Sequence, residues 1–552
     1  MKKKSKYEDY FLLSDEKQEK ILKKTINISL DFLRGDLRDN KFLIYKKPEY
    51  LKSQLDSGLP LHLKKIENTF KILKKIGRYS IAQSDLNYLA FPDSGNSLIA
   101  MMGALYSKFL NQNLIGFDRS APVATFIEIQ LIEWLRELIG YNTKSLKKIN
   151  CLADVGGMFT TGGHMSNHVG ILAALNKKFP EIKENGLSNL KFSPVILLSK
   201  KISHYSIDSA AHHLGIGKEN IIDIPITGDY TTDYNVIEKI LKKLPKNKKP
   251  FMVVSVAGNT RTSNIDNLSK INNLCKKHNL WHHIDACHGG SLLFSDKLKS
   301  KYLQNIEQAD SVTIDPHKGL FVPYSSSYIL FKERSVLTMF SRYQEDCFNG
   351  SVWDLGFITP FYGSRGFDSL SLWLFIKIMG KKSIGEIIES RFKIVKFAEK
   401  IMKENQDFIT LNEIDIYRMA FVFCPDYIQK YITLNSGKIN KNIVKKLKSL
   451  IDKYSHIINQ RLYESGKLCL DEYKLHDAGN KVGLGTEDRY IVFAITLGNP
   501  LFTKETIEKS LNILFQEAEK IKIKMYYEFN NIISFKTNVD EKKEYKSGPA
   551  GW

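Results

Sequence analysis

Between residues 151 and 331, short and almost continuously apolar runs alternate with longer segments whose apolar residues recur at helical spacing. This alternation predicts strands and helices in turn, and therefore a mainly parallel sheet that helices cover on both faces. Ligands of such sheets bind beyond the carboxyl ends of the strands, so the residues that close each strand are candidates for a site. The predicted strands are residues 195–198, 251–256, 281–284, 311–314 and 328–331, and helical patterns include residues 166–179 and 265–278.

The pattern changes on either side of this segment. Residues 1–90 are charged and helical in pattern, which predicts an arm that packs on something else, such as a second subunit. Its apolar face is formed by Leu22, Ile26, Leu30 and Leu33. Residues 385–541 predict a smaller α/β domain, residues 542–552 a polar tail, and residues 91–384 the large domain.

Composition narrows the class of protein. The 552 residues are 43% hydrophobic, yet no stretch approaches the roughly 20 apolar residues of a membrane span, so we expect a cytoplasmic protein without a membrane partner. The formal charge of +21 comes from lysines spread in pairs along the chain, which predicts no specific nucleic-acid partner. The six cysteines stand far apart, which suits a reducing compartment and predicts no disulfide framework.

One lysine follows a predicted strand directly. The strand at residues 311–314 stops at Asp315-Pro316-His317-Lys318, where the proline ends the strand and fixes the turn. A lysine held there among apolar residues is expected to be desolvated and more readily neutral, as a Schiff-base lysine must be. On this stretch alone, a solvated surface lysine is an equal alternative.

Three further positions suggest chemistry. Gly162-Gly163-His164 precedes a helix, whose free N–H groups and dipole suit a phosphate, although an ordinary turn has the same sequence pattern. Asp285 closes the strand at residues 281–284, where its carboxylate could pair with a protonated ring nitrogen or simply cap a turn. His204 follows another strand and could stack on an aromatic ligand. Histidines surround Asp285, but they lack the spacing of a metal shell, so no metal is predicted.

These motifs, in this order, resemble the group II pyridoxal-phosphate-dependent amino-acid decarboxylases, which include glutamate, tyrosine and aromatic amino-acid decarboxylases. The resemblance runs from about residue 94 to residue 374. It implies pyridoxal-phosphate fold type I, like that of aspartate aminotransferase, and a homodimer with shared active sites. It also implies pyridoxal 5'-phosphate as the cofactor and decarboxylation of an L-amino acid, aromatic or acidic, to its amine and CO2.

The resemblance assigns roles to four residues of the strand ends. Lys318 is similar to the lysine that joins the cofactor covalently, and His317 to its neighbour that positions the lysine or the phosphate. Asp285 resembles the acid that keeps the pyridinium nitrogen protonated, so that the ring withdraws electrons. His204 resembles the residue stacked over the ring.

Four more positions carry over to the cofactor's surroundings. Gly163 and His164 resemble the backbone that cradles the phosphate, although the family usually has a small residue where His164 stands. Cys287, where alanine is usual, is implied to lie near the other ring face. Thr260 resembles the threonine near the ring hydroxyl.

The resemblance also places a mobile loop at residues 333–357, whose tyrosine protonates the substrate Cα in this family. Tyr343 is the candidate, and an exposed tyrosine without a catalytic role is the alternative. If Phe348 stands in its place instead, oxidative deamination to an aldehyde follows. The same residues are also compatible with a different lyase of the same fold and with an inactive decarboxylase-like binding protein.

Overall fold

A computed structural model describes residues 10–11, 15–340, 352–361, 363–487 and 489–544. Its N-terminal part is helical and lies outside the sheets. The helices are α1 (Glu16–Arg34), α2 (Pro48–Leu55), α3 (Asn68–Tyr79), α4 (Leu98–Leu110) and α5 (Pro122–Ile139). The predicted apolar face of α1 is exposed in the single chain, with Leu33 56% accessible.

The large sheet contains seven strands within the described residues, namely β1 (Gly157–Thr160), β2 (Ser193–Leu198), β3 (Ile221–Asp223), β4 (Lys248–Val256), β5 (Trp281–Asp285), β6 (Ser311–Ile314) and β7 (Ser327–Phe331). Their order in the sheet is β1-β7-β6-β5-β4-β2-β3. The five neighbouring strands from β6 to β3 are parallel, whereas β7 runs antiparallel to both β6 and β1. The mainly parallel α/β fold is therefore confirmed.

Both faces of this sheet are buried. Along β2, Ile196 and Leu198 lie in the main hydrophobic core, while Val195 and Leu197 lie in a second core on the opposite face. Because side chains alternate along a strand, this division explains why the strand reads as continuously apolar. The covering helices are α6 (Gly163–Lys178), α7 (Ile182–Asn185), α8 (Ser206–His213), α9 (Ile237–Lys243), α10 (Leu268–Lys277) and α11 (Asp296–Tyr302).

A long helix, α12 (Leu370–Glu404), leads from the large sheet to a second, antiparallel sheet of order β10-β11-β9-β8. This sheet has its own hydrophobic core. Its elements are β8 (Phe408–Thr410), β9 (Arg418–Phe423), α13 (Asp426–Leu434), α14 (Lys441–Glu464), β10 (Asp471–His476), β11 (Arg489–Thr496) and α15 (Lys504–Glu544). The carboxyl ends of β4, β5 and β6 face the junction between the large sheet and the second sheet.

Candidate active site

The residues that close β4, β5 and β6 meet the N-terminus of α6 in one cleft. Every residue predicted as a cofactor contact lines this cleft except His317, which lies directly beside Lys318. Its lining residues are Gly163, His164, Asn167, His204, Val256, Gly258, Thr260, Asp285, Cys287, His288 and Lys318. Tyr343 lies outside the described residues, so the structure says nothing of its position.

Lys318 ends a short 3-10 turn, Pro316–Lys318, directly after β6. Its Nζ lies 2.9 Å from Oδ2 of Asp315, whose side chain is 1% exposed, whereas the lysine side chain remains 22% exposed and reachable. The phenol of Tyr417 donates a 2.8 Å hydrogen bond to the backbone carbonyl of Lys318 and so fixes the turn.

The expectation of a neutral lysine is wrong for this arrangement. Burial lowers the pKa of Lys318, but the charge of Asp315 outweighs it and raises the pKa above the ordinary value. Burial likewise raises the pKa of Asp315, and the charges of Lys318 and His317 bring it down to about 2. The sequence showed the apolar surroundings of the lysine but not that its neighbour three residues earlier turns back to pair with it.

Asp285 lies at the floor of the cleft as a buried, ionised carboxylate. Burial alone would raise its pKa, but a hydrogen bond from Cys287 and the charge of Lys318 lower the pKa below the ordinary value. The backbone N–H of Cys287 donates to Oδ1 at 3.2 Å, and the amide of Asn167 donates to Oδ2 at 2.9 Å. A fixed negative charge therefore points into the cleft.

The N-terminus of α6 forms the opposite wall. The helix begins at Gly163, three residues earlier than the sequence pattern predicts, so His164 lies in its first turn. Gly162 has a φ of +147°, and no protein atom lies within 4 Å of the position where its Cβ would stand. Within the described part of the chain, no acceptor bonds to the N–H groups of Gly163 and His164. Free N–H groups at a helix start form an anion site.

Aromatic rings close the cleft on the side of α8. The His204 ring centroid lies 6.4 Å from that of His164 and 4.1 Å from that of Tyr205. Burial lowers the pKa of His204, so its imidazole is a flat, mostly uncharged surface. Such a ring can stack on an aromatic ligand.

His317 is placed to hold the lysine turn. Its Nδ1–H donates a 2.5 Å hydrogen bond to the carbonyl of Ser326, and its Nε2 lies 3.8 Å from Asp315 Oδ2. On its outer side the ring contacts Tyr324, with 4.7 Å between the centroids. His317 therefore helps to fix the position of the Asp315–Lys318 pair.

Comparison with solved structures identifies the class of fold. The crystal structure of mouse CSAD in apo form superposes with a TM-score of 0.79 at 24% identity, covering 91% of this chain and 99% of that one. The Catharanthus roseus tryptophan decarboxylase in complex with L-tryptophan gives a TM-score of 0.75 at 18% identity, covering 92% and 99%. The protein thus has pyridoxal-phosphate fold type I.

Sequence comparison then gives the family. The profile of the pyridoxal-dependent decarboxylase conserved domain matches residues 48–423, and the chain belongs to this family. A cysteine sulfinic acid decarboxylase of Mus musculus is 25% identical over 501 residues, 89% of this chain and 94% of the relative. A glutamate decarboxylase of Drosophila melanogaster is 28% identical over 414 residues, 73% and 78% of the two chains. The protein is accordingly a pyridoxal-phosphate-dependent amino-acid decarboxylase.

The hydrogen-bond donors and charges of the cleft match those that the cofactor requires. The unbonded N–H groups at the start of α6 match a phosphate, and the ionised Asp285 matches a protonated ring nitrogen. His288 adds a buried Nδ1 without a hydrogen-bond partner among the described residues. Among the described helices, none is long and apolar enough to cross a membrane.

Proposed function

We propose that the cleft around Lys318 is the active site in which an L-amino acid loses its α-carboxyl group as CO2 and leaves as the amine. The observation that carries this proposal is the meeting of Lys318, Asp285 and the free start of α6 in one cleft. These groups come from distant parts of the chain, and a solely structural role does not explain the unbonded N–H groups of Gly163 and His164.

The residues divide the work of holding the cofactor. Lys318 would hold it covalently, the N–H groups of Gly163 and His164 would bind its phosphate, and His204 would cover one ring face. Pyridoxal 5'-phosphate, when bound, supplies a cationic ring that withdraws electrons from the substrate Cα. Asp285 keeps a negative charge at the ring nitrogen and so holds a proton there.

Three residues complete the proposed surroundings. Cys287 and Thr260 line the cleft and would contact the ring, and His317 steadies the lysine turn. Tyr343 is proposed to donate the proton that replaces CO2 at the substrate Cα, on the resemblance alone.

The choice of substrate is proposed to depend on Asp93. Its Oδ2 accepts a hydrogen bond from the Tyr324 hydroxyl, while no donor in the described residues bonds to its buried Oδ1. Burial raises the pKa of Asp93, and the bond from Tyr324 and the charges of His317 and Lys318 offset part of this rise.

A carboxyl group in this place favours some substrates over others. Asp93 borders a second cavity, of about 550 Å³, which is separate from the cleft but adjoins the lysine turn at Phe321, and whose walls also include Met101 and Phe375. Apolar walls beside one carboxyl oxygen suit an aromatic side chain that carries a hydroxyl group. A substrate carboxylate would be repelled there. We therefore favour an aromatic substrate such as tyrosine over an acidic one such as glutamate or aspartate.

The protein is proposed to act as a homodimer. Helix α4 exposes a row of large apolar side chains, and a groove of about 730 Å³ lies between α4, α5 and the start of α12. The exposed large apolar side chains of α4 are Leu98, Met101, Met102, Leu105, Tyr106, Phe109 and Leu110. An apolar surface of this extent on one element is typical of a subunit interface.

The domain boundaries and the compartment stay proposals. Two separate hydrophobic cores support a large domain at residues 91–384 and a smaller one at residues 385–541, after an arm at residues 1–90 and before a tail at residues 542–552. A cytoplasmic location is proposed because the cysteines that the structure describes are unpaired.

The active-site proposal is tested with Lys318→Ala. After incubation with pyridoxal 5'-phosphate, the wild-type protein is expected to gain a visible absorbance band and to release CO2 from a panel of L-amino acids. The variant should lose both, whereas Lys332→Ala, outside the cleft, should keep both. A chromophore and CO2 release that survive in Lys318→Ala would exclude this lysine, and ammonia or peroxide in place of CO2 would indicate an aldehyde-forming enzyme.

A further inference from the structure

Behind Asp285 lies a chain of buried hydrogen bonds. Asn167, on α6, donates from Nδ2 to Asp285 Oδ2 at 2.9 Å and to Ser206 Oγ at 2.9 Å. Its Oδ1 lies 3.0 Å from Nε2 of His283, two residues before Asp285 on β5. Nδ1 of His283 lies 2.8 Å from Ser311 Oγ on the neighbouring strand β6. All five side chains are buried.

The direction of these bonds is determined by chemistry. A carboxylate oxygen only accepts, so Asn167 must turn its NH2 group toward Asp285 and its carbonyl oxygen toward His283. That oxygen also only accepts, so the His283 proton is on Nε2. Nδ1 must then accept from the Ser311 hydroxyl, whose oxygen receives the Trp281 indole N–H at 2.9 Å. This placement of one proton on the ring agrees with the burial of His283, which lowers its pKa and keeps the imidazole neutral.

The packing of α6 against the His283 imidazole supports the same arrangement of hydrogen bonds. A Cβ at Gly170, one turn along α6 from Asn167, would lie 2.8 Å from Cε1 and 2.9 Å from Nδ1 of His283. A side chain at position 170 would therefore push the imidazole away from α6, and with it from Asn167 on the same helix.

We infer that His283 is a positioning residue, which fixes the Asn167 amide and through it keeps the Asp285 carboxylate ionised and aimed into the cleft. His283 touches neither the cofactor nor the substrate in this role. The inference rests on the proposed function, because it assigns Asp285 to the cofactor ring. It predicts that the Nε2–H tautomer of His283, two residues before Asp285 in the chain, affects the protonation of the cofactor ring through Asn167 and Asp285.

The preceding residue of the chain provides a matched control. His282 is also buried on β5, but it faces the other way and bonds to Ser255 Oγ at 2.7 Å and to Asn272 Oδ1 at 2.5 Å. His282→Leu and His283→Leu therefore remove the same ring from the same strand at equal burial. His283→Gln retains an N–H that can donate to Asn167 and serves as the conservative rescue.

The test measures the holoenzyme in two ways besides turnover, namely the dissociation constant of pyridoxal 5'-phosphate and the pH midpoint of the visible absorbance band. For His283→Leu, we expect cofactor affinity to fall roughly tenfold, as for residues that orient a ligating group. The pH midpoint should shift and kcat should fall, while KM changes little. His283→Gln should restore most of each value, and His282→Leu should leave the midpoint unchanged.

Equal effects of His282→Leu and His283→Leu on the midpoint would overturn the inference. If either leucine variant fails to fold, ¹⁵N NMR of histidine-labelled wild-type protein, with His283→Gln to assign the resonance, decides instead. A proton on Nε2 supports the inference, and a proton on Nδ1 excludes it. Failure of the proposed function is distinguishable, because the wild-type protein would then lack the lysine-dependent band altogether.

Discussion

At the scale of single residues, two kinds of carboxylate lie in and around the cleft. Asp285 accepts two hydrogen bonds and Asp315 forms an ion pair with Lys318, and both buried carboxylates have lowered pKa values because N–H donors or positive charge face them. Asp93 is buried with one oxygen unbonded, and its pKa is raised. The first two can hold charge permanently, whereas the third still has bonding capacity to offer a substrate.

Asp93→Asn is expected to change which substrate is preferred. Removing the negative charge should lower kcat/KM for tyrosine and raise it for glutamate, shifting their ratio by about tenfold, the size of one charged hydrogen bond. The ratio is measured by CO2 release from each amino acid under the same conditions. Asp118→Asn, at an exposed carboxylate before α5, should leave the ratio unchanged, and an unchanged ratio in Asp93→Asn would remove Asp93 from substrate selection.

Gly163 is required for packing as well as for N–H access. A Cβ at this position would lie 2.4 Å from Cys287 Sγ and 2.7 Å from Asp315 Oδ2. Gly163→Ala should therefore destabilise the folded protein by an overpacking cost of about 1–3 kcal/mol, which lowers the thermal midpoint, and should also weaken cofactor binding. Adding Cys287→Ala should recover part of the loss, since it removes the nearer obstacle.

Gly58→Ala is the control for this substitution. Its Cβ would meet no atom within 4 Å, so the thermal midpoint should stay constant. If Gly163→Ala proves as stable as Gly58→Ala, then α6 can move away from Asp315 and the close contact is not required.

At the scale of elements, the sequence predicted the central strands well and the peripheral ones poorly. Strands buried on both faces, such as β2 and β4, contain almost continuously apolar runs and were predicted correctly. By contrast β1 begins with glycine, and β3 and β8 have three residues each, too few for a pattern to distinguish them from loops. The antiparallel direction of β7 depends on its pairing with β1, which no local pattern contains.

The sequence predicts a site residue well when the residues next to it in the chain mark its position. Lys318 and Asp285 follow apolar runs directly, so their place at the strand ends could be read from the sequence. Asn167 and Asp93 give no such signal, because their roles depend on contacts with residues more than 100 positions away. The ion pair of Asp315 with Lys318 was missed because its geometry depends on how the turn closes.

Strand β5 makes the stability of the protein depend on pH. Burial lowers the pKa of His282 to about 3 and that of His283 to about 4, from an ordinary value of 6.5. Below about pH 6.5 these two histidines bind protons in the unfolded chain but not in the folded state, so the stability of the fold decreases as the pH falls toward 4. The loss is up to about 1.4 kcal/mol per pH unit for each histidine.

Urea unfolding at pH 7, 6 and 5 measures this dependence. His282→Gln should reduce the steepness with which the midpoint urea concentration falls, and His62→Gln, at an exposed histidine, should not change it. A steepness that His282→Gln leaves intact would show that other groups are responsible.

At the scale of the whole molecule, the exposed row on α4 is a large apolar surface that no other part of the described chain covers. Leu105→Glu should place a charge within the proposed interface and convert the dimer to monomer, since a buried unpaired charge costs several kcal/mol. Analytical ultracentrifugation measures the mass directly. Leu434→Glu, at an apolar residue 83% exposed on the small domain, is the matched control and should leave the mass unchanged.

Helix α4 is also continuous with the loop that carries Asp93. The N–H of Ser97, the N-cap of α4, bonds to the carbonyl of Phe321 at 2.7 Å, three residues after Lys318, and Asp93 accepts from Tyr324 in the same segment. In the proposed dimer, the partner subunit would hold this helix in place and thereby the loop and the lysine turn. Substrate specificity would then depend on protein concentration. Dilution separates the subunits and so loosens the loop that carries Asp93, which would broaden the range of accepted amino acids before turnover is lost.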